Sequence, residues 1–290
     1  MRVNVMPSMA GKIVMVTGAT NGIGKETARE LARMGATTII VGRDAAKGER
    51  VVGELQQDTG NSAIEFMLAD LSLMADVRAL AAGFRSKYDR LDVLVNNAGT
   101  VNQQRQVTPE GFEKSWALNH LSYFLLTNLL LDTLRQSTPA RIVNVASSGH
   151  KGGRIDFSNL QAEGRYNGFR QYENTKLANI LFTLELARRL DGSGVTANSV
   201  HPGLVTASFG LGKDLASRLF LLAVKPFDKT PAQGAQTSIY LASSPEVEGV
   251  SGKYFVNCRP ASTSKAAQDA EVARRLWDIS AQQTDLAAVV

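Results

Sequence analysis

Short apolar runs alternate with longer amphipathic stretches along most of the chain. Residues 13–16, 37–41, 63–68, 91–95, 141–145 and 195–200 are rich in Val, Ile and Leu and are bounded by turn residues, which predicts six strands. Between them, residues 25–34, 45–57, 73–88, 112–135 and 172–190 carry helical spacing, and a further helix is expected after residue 230. Strands that alternate with helices pair in parallel through right-handed crossovers. The strands are continuously apolar rather than alternating, as expected when helices cover both sheet faces. The predicted fold is therefore α/β, a doubly wound parallel sheet of the Rossmann type in a single domain, with ligands held at the carboxyl ends of the strands.

Two segments break this rhythm. Residues 149–171 form a long insertion with five glycines. Residues 204–230 separate the sixth strand from the next helix and contain an apolar stretch, 215–224, that reads as a short lid helix. Loops of this length inside a compact domain usually serve a function. The domain is expected over residues 11–290, preceded by an extension over residues 1–10, with a substrate loop at about residues 204–230.

Composition narrows the function classes. The 44% hydrophobic content supports a sizeable core, and the net charge of +5 comes without any long run of Lys or Arg, which speaks against nucleic-acid binding. One cysteine, Cys258, rules out a disulfide within the chain and suits a reducing compartment. Residues 1–10 are too short and polar for a signal peptide, and the longest apolar stretch, 118–134, carries Asn119, His120, Asn128 and Asp132. The reading is a soluble, cytoplasmic protein with no transmembrane segment.

The candidate chemistry lies just past the strand ends. After the first strand comes Thr17-Gly18-Ala19-Thr20-Asn21-Gly22-Ile23-Gly24, a glycine-rich turn leading into a helix. Such a turn lets backbone approach a pyrophosphate and sets the free N–H groups of the helix start against its charge. Tyr172 and Lys176 lie four residues apart on one helix face. An adjacent ammonium favours phenolate and is expected to draw the tyrosine pKa toward neutrality, fitting it to exchange a proton with an alcohol or carbonyl oxygen. Ser147 and Ser148 follow the fifth strand, where a hydroxyl can hydrogen-bond an oxygen as charge develops on it. Asn119 interrupts an apolar helical stretch and needs partners for its amide. The three histidines, His120, His150 and His201, show no metal-ligand spacing, so no metal is assigned.

Taken together and in order, these motifs resemble those of the short-chain dehydrogenase/reductase family. The matching residues are Thr17-Gly18 with Gly22-Ile23-Gly24, Asp70-Leu71, Asn96-Asn97-Ala98-Gly99, Asn119, Ser147, Tyr172 with Lys176, and Pro202-Gly203. The phrases Gly24-Lys25-Glu26-Thr27-Ala28, Asn119-His120-Leu121, Lys176-Leu177-Ala178-Asn179 and Val200-His201-Pro202-Gly203 are similar to those of its retinol dehydrogenase-like branch. So are Lys229-Thr230-Pro231 and Ala273-Arg274-Arg275-Leu276-Trp277 near the end. The resemblance implies an oxidoreductase that interconverts an alcohol and a carbonyl on a small hydrophobic substrate. Tyr172 would be the general acid/base, Lys176 would lower its pKa and bind the nicotinamide ribose, Ser147 would orient the substrate oxygen, and Asn119 would hold a water linked to Lys176. The resemblance prefers Ser147 to Ser148, because Ser147 stands three residues after Asn144, the family's usual offset. Gly18, Thr20, Asn21, Gly22, Ile23 and Gly24 would hold the cofactor with Asp70, Leu71, Asn97, Ala98, Gly99, Pro202, Gly203, Val205 and Thr206. Phe209, Leu211, Leu215, Leu219 and Phe220 would wall a substrate pocket. Relatives commonly form a homodimer or homotetramer through the two long helices. A scaffold or nucleotide sensor of the same fold is the alternative function.

The cofactor choice follows from the end of the second strand. NAD-dependent relatives place a carboxylate there for the adenosine ribose, whereas this chain has Gly42 followed by Arg43. A guanidinium there matches a 2′-phosphate, so NADP is expected. Asp44 is the complication, since a carboxylate turned inward would serve NAD instead.

Overall fold

The computed structural model describes residues 7–205 and 229–286. The six predicted strands are present as β1 (Ile13–Thr17), β2 (Thr37–Gly42), β3 (Ile64–Leu68), β4 (Val93–Asn96), β5 (Ala140–Val145) and β6 (Val195–His201). Two short strands follow, β7 (Tyr254–Val256) and β8 (Arg259–Pro260). They form one sheet in the order β3-β2-β1-β4-β5-β6-β7-β8, parallel except for the β7–β8 pair. The last pair escapes a sequence reading because strands of three and two residues leave no period to detect. Asn257 and Cys258 join them with φ of 50° and 59°, both in the left-handed region that two-residue hairpins use.

Along each strand, neighbouring side chains enter opposite cores. Met15, Ile39, Leu94 and Ile142 face one cluster, while Val14, Val16, Ile40, Val95 and Val143 face the other. Both sets are buried, which is why the runs read as unbroken. Helices α1 (Gly22–Arg33), α2 (Ala45–Thr59) and α3 (Met74–Lys87) follow the first three strands. The sheet order turns back between β1 and β4, and the ends of those strands open into a cleft.

The helix expected over residues 112–135 is not continuous. It comprises α4 (Lys114–Trp116), a π-helical turn (Ala117–Leu121), α5 (Ser122–Leu129) and α6 (Leu131–Gln136). Glu113 fixes its start: its carboxylate accepts from the N–H groups of Ser115 (2.9 Å) and Trp116 (2.7 Å). The π turn inserts one extra residue, with the N–H of Ser122 donating to the carbonyl of Ala117. Helix α7 (Gly168–Arg189) begins four residues before Tyr172, capped by the side chain of Asn167, so Tyr172 stands in its second turn. Helices α8 (Pro231–Ser243) and α9 (Ala270–Gln283) complete the described chain.

Helix α9 lies on α7 and α5. Trp277 packs edge-on to Phe124 at 4.9 Å and against Phe182 at 5.8 Å, with the Arg189 guanidinium 4.3 Å from its ring. At this point α9 covers one side of α5 and α7. Residues 206–228, which include the predicted lid helix, Thr206 and the five apolar residues assigned to a pocket wall, lie outside the described residues.

Candidate active site

The cleft above the sheet has a volume of about 670 Å³. Its floor is stapled by Thr17, whose hydroxyl accepts from the N–H groups of Asn97 (2.8 Å) and Ala98 (3.1 Å). In return, the Asn97 amide donates to the Thr17 carbonyl at 2.8 Å. Gly18 has φ +64°, and a Cβ on it would lie 2.8 Å from the Ala98 backbone; a Cβ on Gly24 would lie 2.5 Å from Asn97. These contacts explain why the turn needs glycine at both places: the ends of β1 and β4 touch through it. The first turn of α1 opens into the cleft with no acidic residue, and the Asn21 side chain makes no capping hydrogen bond. Its leading N–H groups have no partner within the helix, which makes this end receptive to an anion.

Beside this end, Arg43, Asp44 and Lys47 line the cleft. The Asp44 carboxylate caps α2 by accepting from the Lys47 N–H at 2.9 Å. A Cβ on Gly42 would meet the Thr20 methyl at 2.6 Å, so Thr20 occupies the place an acidic side chain would take. Lys47 was not among the residues expected from sequence. Its signal is its place in the first turn of α2, three residues after the cap. Asp70 and Leu71 also line the cleft, and Asp70 accepts from the N–H (3.0 Å) and hydroxyl (2.7 Å) of Ser72.

The polar groups expected to do chemistry gather at the other end. Ser147 is buried and lines the cleft; its hydroxyl accepts from the Gly149 N–H at 3.1 Å and interacts with the side chain of Tyr172. Ser148 is exposed, does not line the cleft, and its N–H donates to His201 Nδ1 at 3.2 Å. Lys176 is buried one turn along α7 from Tyr172; its Nζ donates to the Val145 carbonyl at 2.9 Å and lies 5.6 Å from the Tyr172 ring centre. Asn119 is fully buried and does not reach the cleft surface. Its amide donates to the Thr100 carbonyl (2.9 Å) and the Thr175 hydroxyl (3.0 Å) and accepts from the Thr100 N–H (2.8 Å). That leaves one lone pair on Oδ1. Gly99 separates this oxygen from the cleft: a Cβ there would lie 3.4 Å from Asn119 Oδ1 and 3.5 Å from Lys176 Nζ.

The pKa expectation for Tyr172 needs correcting. Burial raises it above its ordinary value, opposed by the interaction with the Ser147 side chain. Lys176 is desolvated as well: burial lowers its pKa to about 7. The histidines are also accounted for. His150 Nδ1 donates to the Ser147 carbonyl (2.7 Å) while its Nε2 accepts from Ser264 N–H (3.2 Å), and burial lowers the pKa of His201 to about 4. They brace the loop behind Ser147 as neutral rings.

All the expected cofactor residues among the described residues line this cleft, with Pro202, Gly203 and Val205 past the end of β6. Val101, Asn102, Gln106, Lys114 and Leu118 line it as well and were not expected. They sit on the irregular segment after β4 and the first turns of the broken helix, where sequence pattern carries little signal.

Residues 12–216 match the family model described as short chain dehydrogenase. The chain belongs to the short-chain dehydrogenase family. It is an oxidoreductase acting on CH–OH and C=O groups, and members of this family use NAD(P). Human retinol dehydrogenase 11 is 48% identical over 272 residues, covering 94% of this chain and 85% of that protein. Mouse retinol dehydrogenase 14 is 47% identical over 285 residues, with the same coverage. Among solved structures, an uncharacterized protein from Mycobacterium Paratuberculosis superposes with a TM-score of 0.80 at 34% identity, covering 99% of this chain and 98% of that one. The Pseudomonas aeruginosa RhlG/NADP active-site complex gives 0.69 at 28% identity, covering 86% and 95%. No helix of the described residues is long and apolar enough to cross a membrane.

Proposed function

We propose that the chain is an NADP(H)-dependent oxidoreductase that interconverts an alcohol and a carbonyl on a small hydrophobic substrate, with Tyr172 as general acid/base. The observation that carries this reading is the convergence of Tyr172, Ser147 and Lys176 at one end of the cleft whose other end is the glycine-rich turn. A nicotinamide dinucleotide, when bound, supplies or accepts the hydride. The first turn of α1 would hold its pyrophosphate, Asn97 to Gly99 would line its path, and Lys176 would meet the nicotinamide ribose.

The protein's own groups handle the proton. Tyr172 gives a proton to a carbonyl oxygen, or takes one from an alcohol, while the Ser147 hydroxyl hydrogen-bonds the same oxygen and steadies its developing charge. A phenol held above its ordinary pKa by burial is a ready proton holder for the reductive direction. For oxidation, phenolate has to form, and the ammonium of Lys176 is the cation at hand to favour it. Asn119 anchors Thr100 and Thr175 around this pair, and its spare lone pair faces the wall formed by Gly99.

Support for NADP over NAD lies at the end of β2. Arg43 and Lys47 offer two cations to a 2′-phosphate, and Asp44, the carboxylate that would compete for the ribose, is committed to its helix cap. Support for an apolar substrate comes from Val101, Leu118 and Ala146 in the cleft lining and from the retinol dehydrogenases among the relatives. A panel of retinoid, steroid and aliphatic alcohols, aldehydes and ketones, run with each cofactor, tests the reading. Turnover of hydrophobic members with a clear preference for NADP(H) is the expected result; turnover with NAD(H) alone, or none with any substrate, overturns it.

A further inference from the structure

Two polar residues of the quoted sequence phrases have no task in the site so far: His120 beside Asn119, and Asn179 one turn beyond Lys176. The structure brings them together. His120 points away from the cleft, fully buried between the rings of Trp116 (4.6 Å) and Phe182 (6.3 Å). Its Nε2 lies 2.9 Å from the hydroxyl of Ser280 on α9. The Asn179 side chain interacts with the ring from the other side. His120 Nδ1 and Asn179 Oδ1 have no other partner among the described residues, and their mutual contact is looser than a regular hydrogen bond. The tautomer that suits both neighbours carries Nδ1–H toward the acceptor Asn179 Oδ1 and accepts from Ser280 at Nε2. Asn179 Nδ2 then points the opposite way and donates to the Val145 carbonyl at 3.4 Å, the same carbonyl that receives Lys176 Nζ at 2.9 Å.

We propose that Asn179, oriented by His120 and Ser280, is a positioning residue that sets how firmly the Val145 carbonyl holds Lys176. The Val145 carbonyl has a lone pair for each donor, but charge drawn toward one donor leaves it a poorer acceptor for the other, so each bond is weaker than it would be alone. The chain Ser280–His120–Asn179–Val145 therefore runs from the C-terminal helix, through the π turn that carries Asn119, to the amine beside Tyr172. The groups facing Nζ are the rings of Tyr172 at 5.6 Å and Tyr123 at 5.8 Å, with His120 behind Asn179. Burial keeps His120 neutral, its pKa lowered to about 4, so the chain is a fixed strut rather than a titrating one across the neutral range. The catalytic meaning of this strut rests on the reaction proposed above; the hold on Lys176 does not.

The test is the titration of Lys176 in the cofactor-free chain, read from the 13Cε shift of 13C-lysine-labelled protein and assigned by the resonance lost in Lys176→Met. In Asn179→Leu the Val145 carbonyl serves the ammonium alone, and the midpoint rises by about half to one unit, the size of one ordinary hydrogen bond. His120→Leu moves it in the same direction by less. His120→Asn, whose amide nitrogen stands in for Nδ1, keeps the wild-type midpoint. Asn179→Ala gives the same readout if the leucine variant fails to fold. A folded Asn179 variant whose midpoint stays or falls, even with lower thermal stability, overturns the proposal. The titration uses neither cofactor nor substrate, so it fails or succeeds independently of the reaction. If both hold, the pH limb of kcat moves with the midpoint while the KM for NADPH does not.

Discussion

The choice of cofactor rests on Arg43 and Lys47, and Arg43→Ala isolates it. Arg43 is exposed at the end of β2 and Lys47 is half-buried one turn into α2. Their positive charges face the cleft while the Asp44 carboxylate is drawn to the Lys47 backbone. A charge-assisted hydrogen bond to phosphate contributes about 1.5–3 kcal/mol, and exposure places this one at the lower end. Removing Arg43 is therefore expected to weaken NADPH about tenfold to thirtyfold and to leave NADH within about twofold, since 1.4 kcal/mol is a factor of ten. Arg43→Ala/Lys47→Ala should lose more than either single change, because two cations share one dianion. The assay is a fluorescence titration of both reduced cofactors at two salt concentrations. The NADPH affinity of the parent should fall with salt and that of the double variant should fall less. Equal weakening of NADPH and NADH would show that Arg43 supports the fold of the cleft and not the 2′-phosphate.

Other outcomes follow from the same geometry. Ser147→Ala should lower kcat/KM by well over tenfold, and Ser148→Ala by less than twofold, because only the first hydroxyl lines the cleft and meets Tyr172 (about 1.4 kcal/mol separates them per tenfold). Glu113→Gln should cost about 2–4 kcal/mol in urea denaturation: its buried carboxylate accepts from Ser115, Trp116, Gln171 (3.0 Å) and Tyr166 (3.0 Å), and an amide turns a donor toward those donors. Acid should destabilise the fold as pH drops from about 6.5 toward 4. Both His120 and His201 have pKa values lowered to about 4, so over that window the unfolded chain binds protons that the folded one refuses. His201→Asn should flatten part of that slope in thermal scans taken at successive pH values.

The strands and the glycine-rich turn were legible because a sheet covered on both faces writes itself as unbroken apolar runs, and because phosphate loops demand glycine. The positions of Tyr172, Lys176 and Ser147 followed from their offsets after strands and along a helix. What the sequence could not convey is whether a neighbour is dry. Tyr172 and Lys176 are buried in the same core, and desolvation of the phenol itself turns its shift upward. Nor could helical spacing reveal the π turn: Leu118-Asn119-His120-Leu121 reads as helix, yet the extra residue sends Asn119 to Thr100 and His120 to Ser280. Gln106 and Lys114 reach the cleft from irregular chain, where no period marks an inward-facing residue. Asp44 was legible in part, since Asp before a helix start is a favoured cap.

The central claim, that Tyr172 moves the proton matched to the hydride, is tested most directly by Tyr172→Phe under single-turnover conditions with NADPH bound. The expected result is a loss of about 10²–10⁴ in the rate of carbonyl reduction, with NADPH affinity and thermal stability close to the parent. A variant that reduces the same substrate at the parent rate would contradict it.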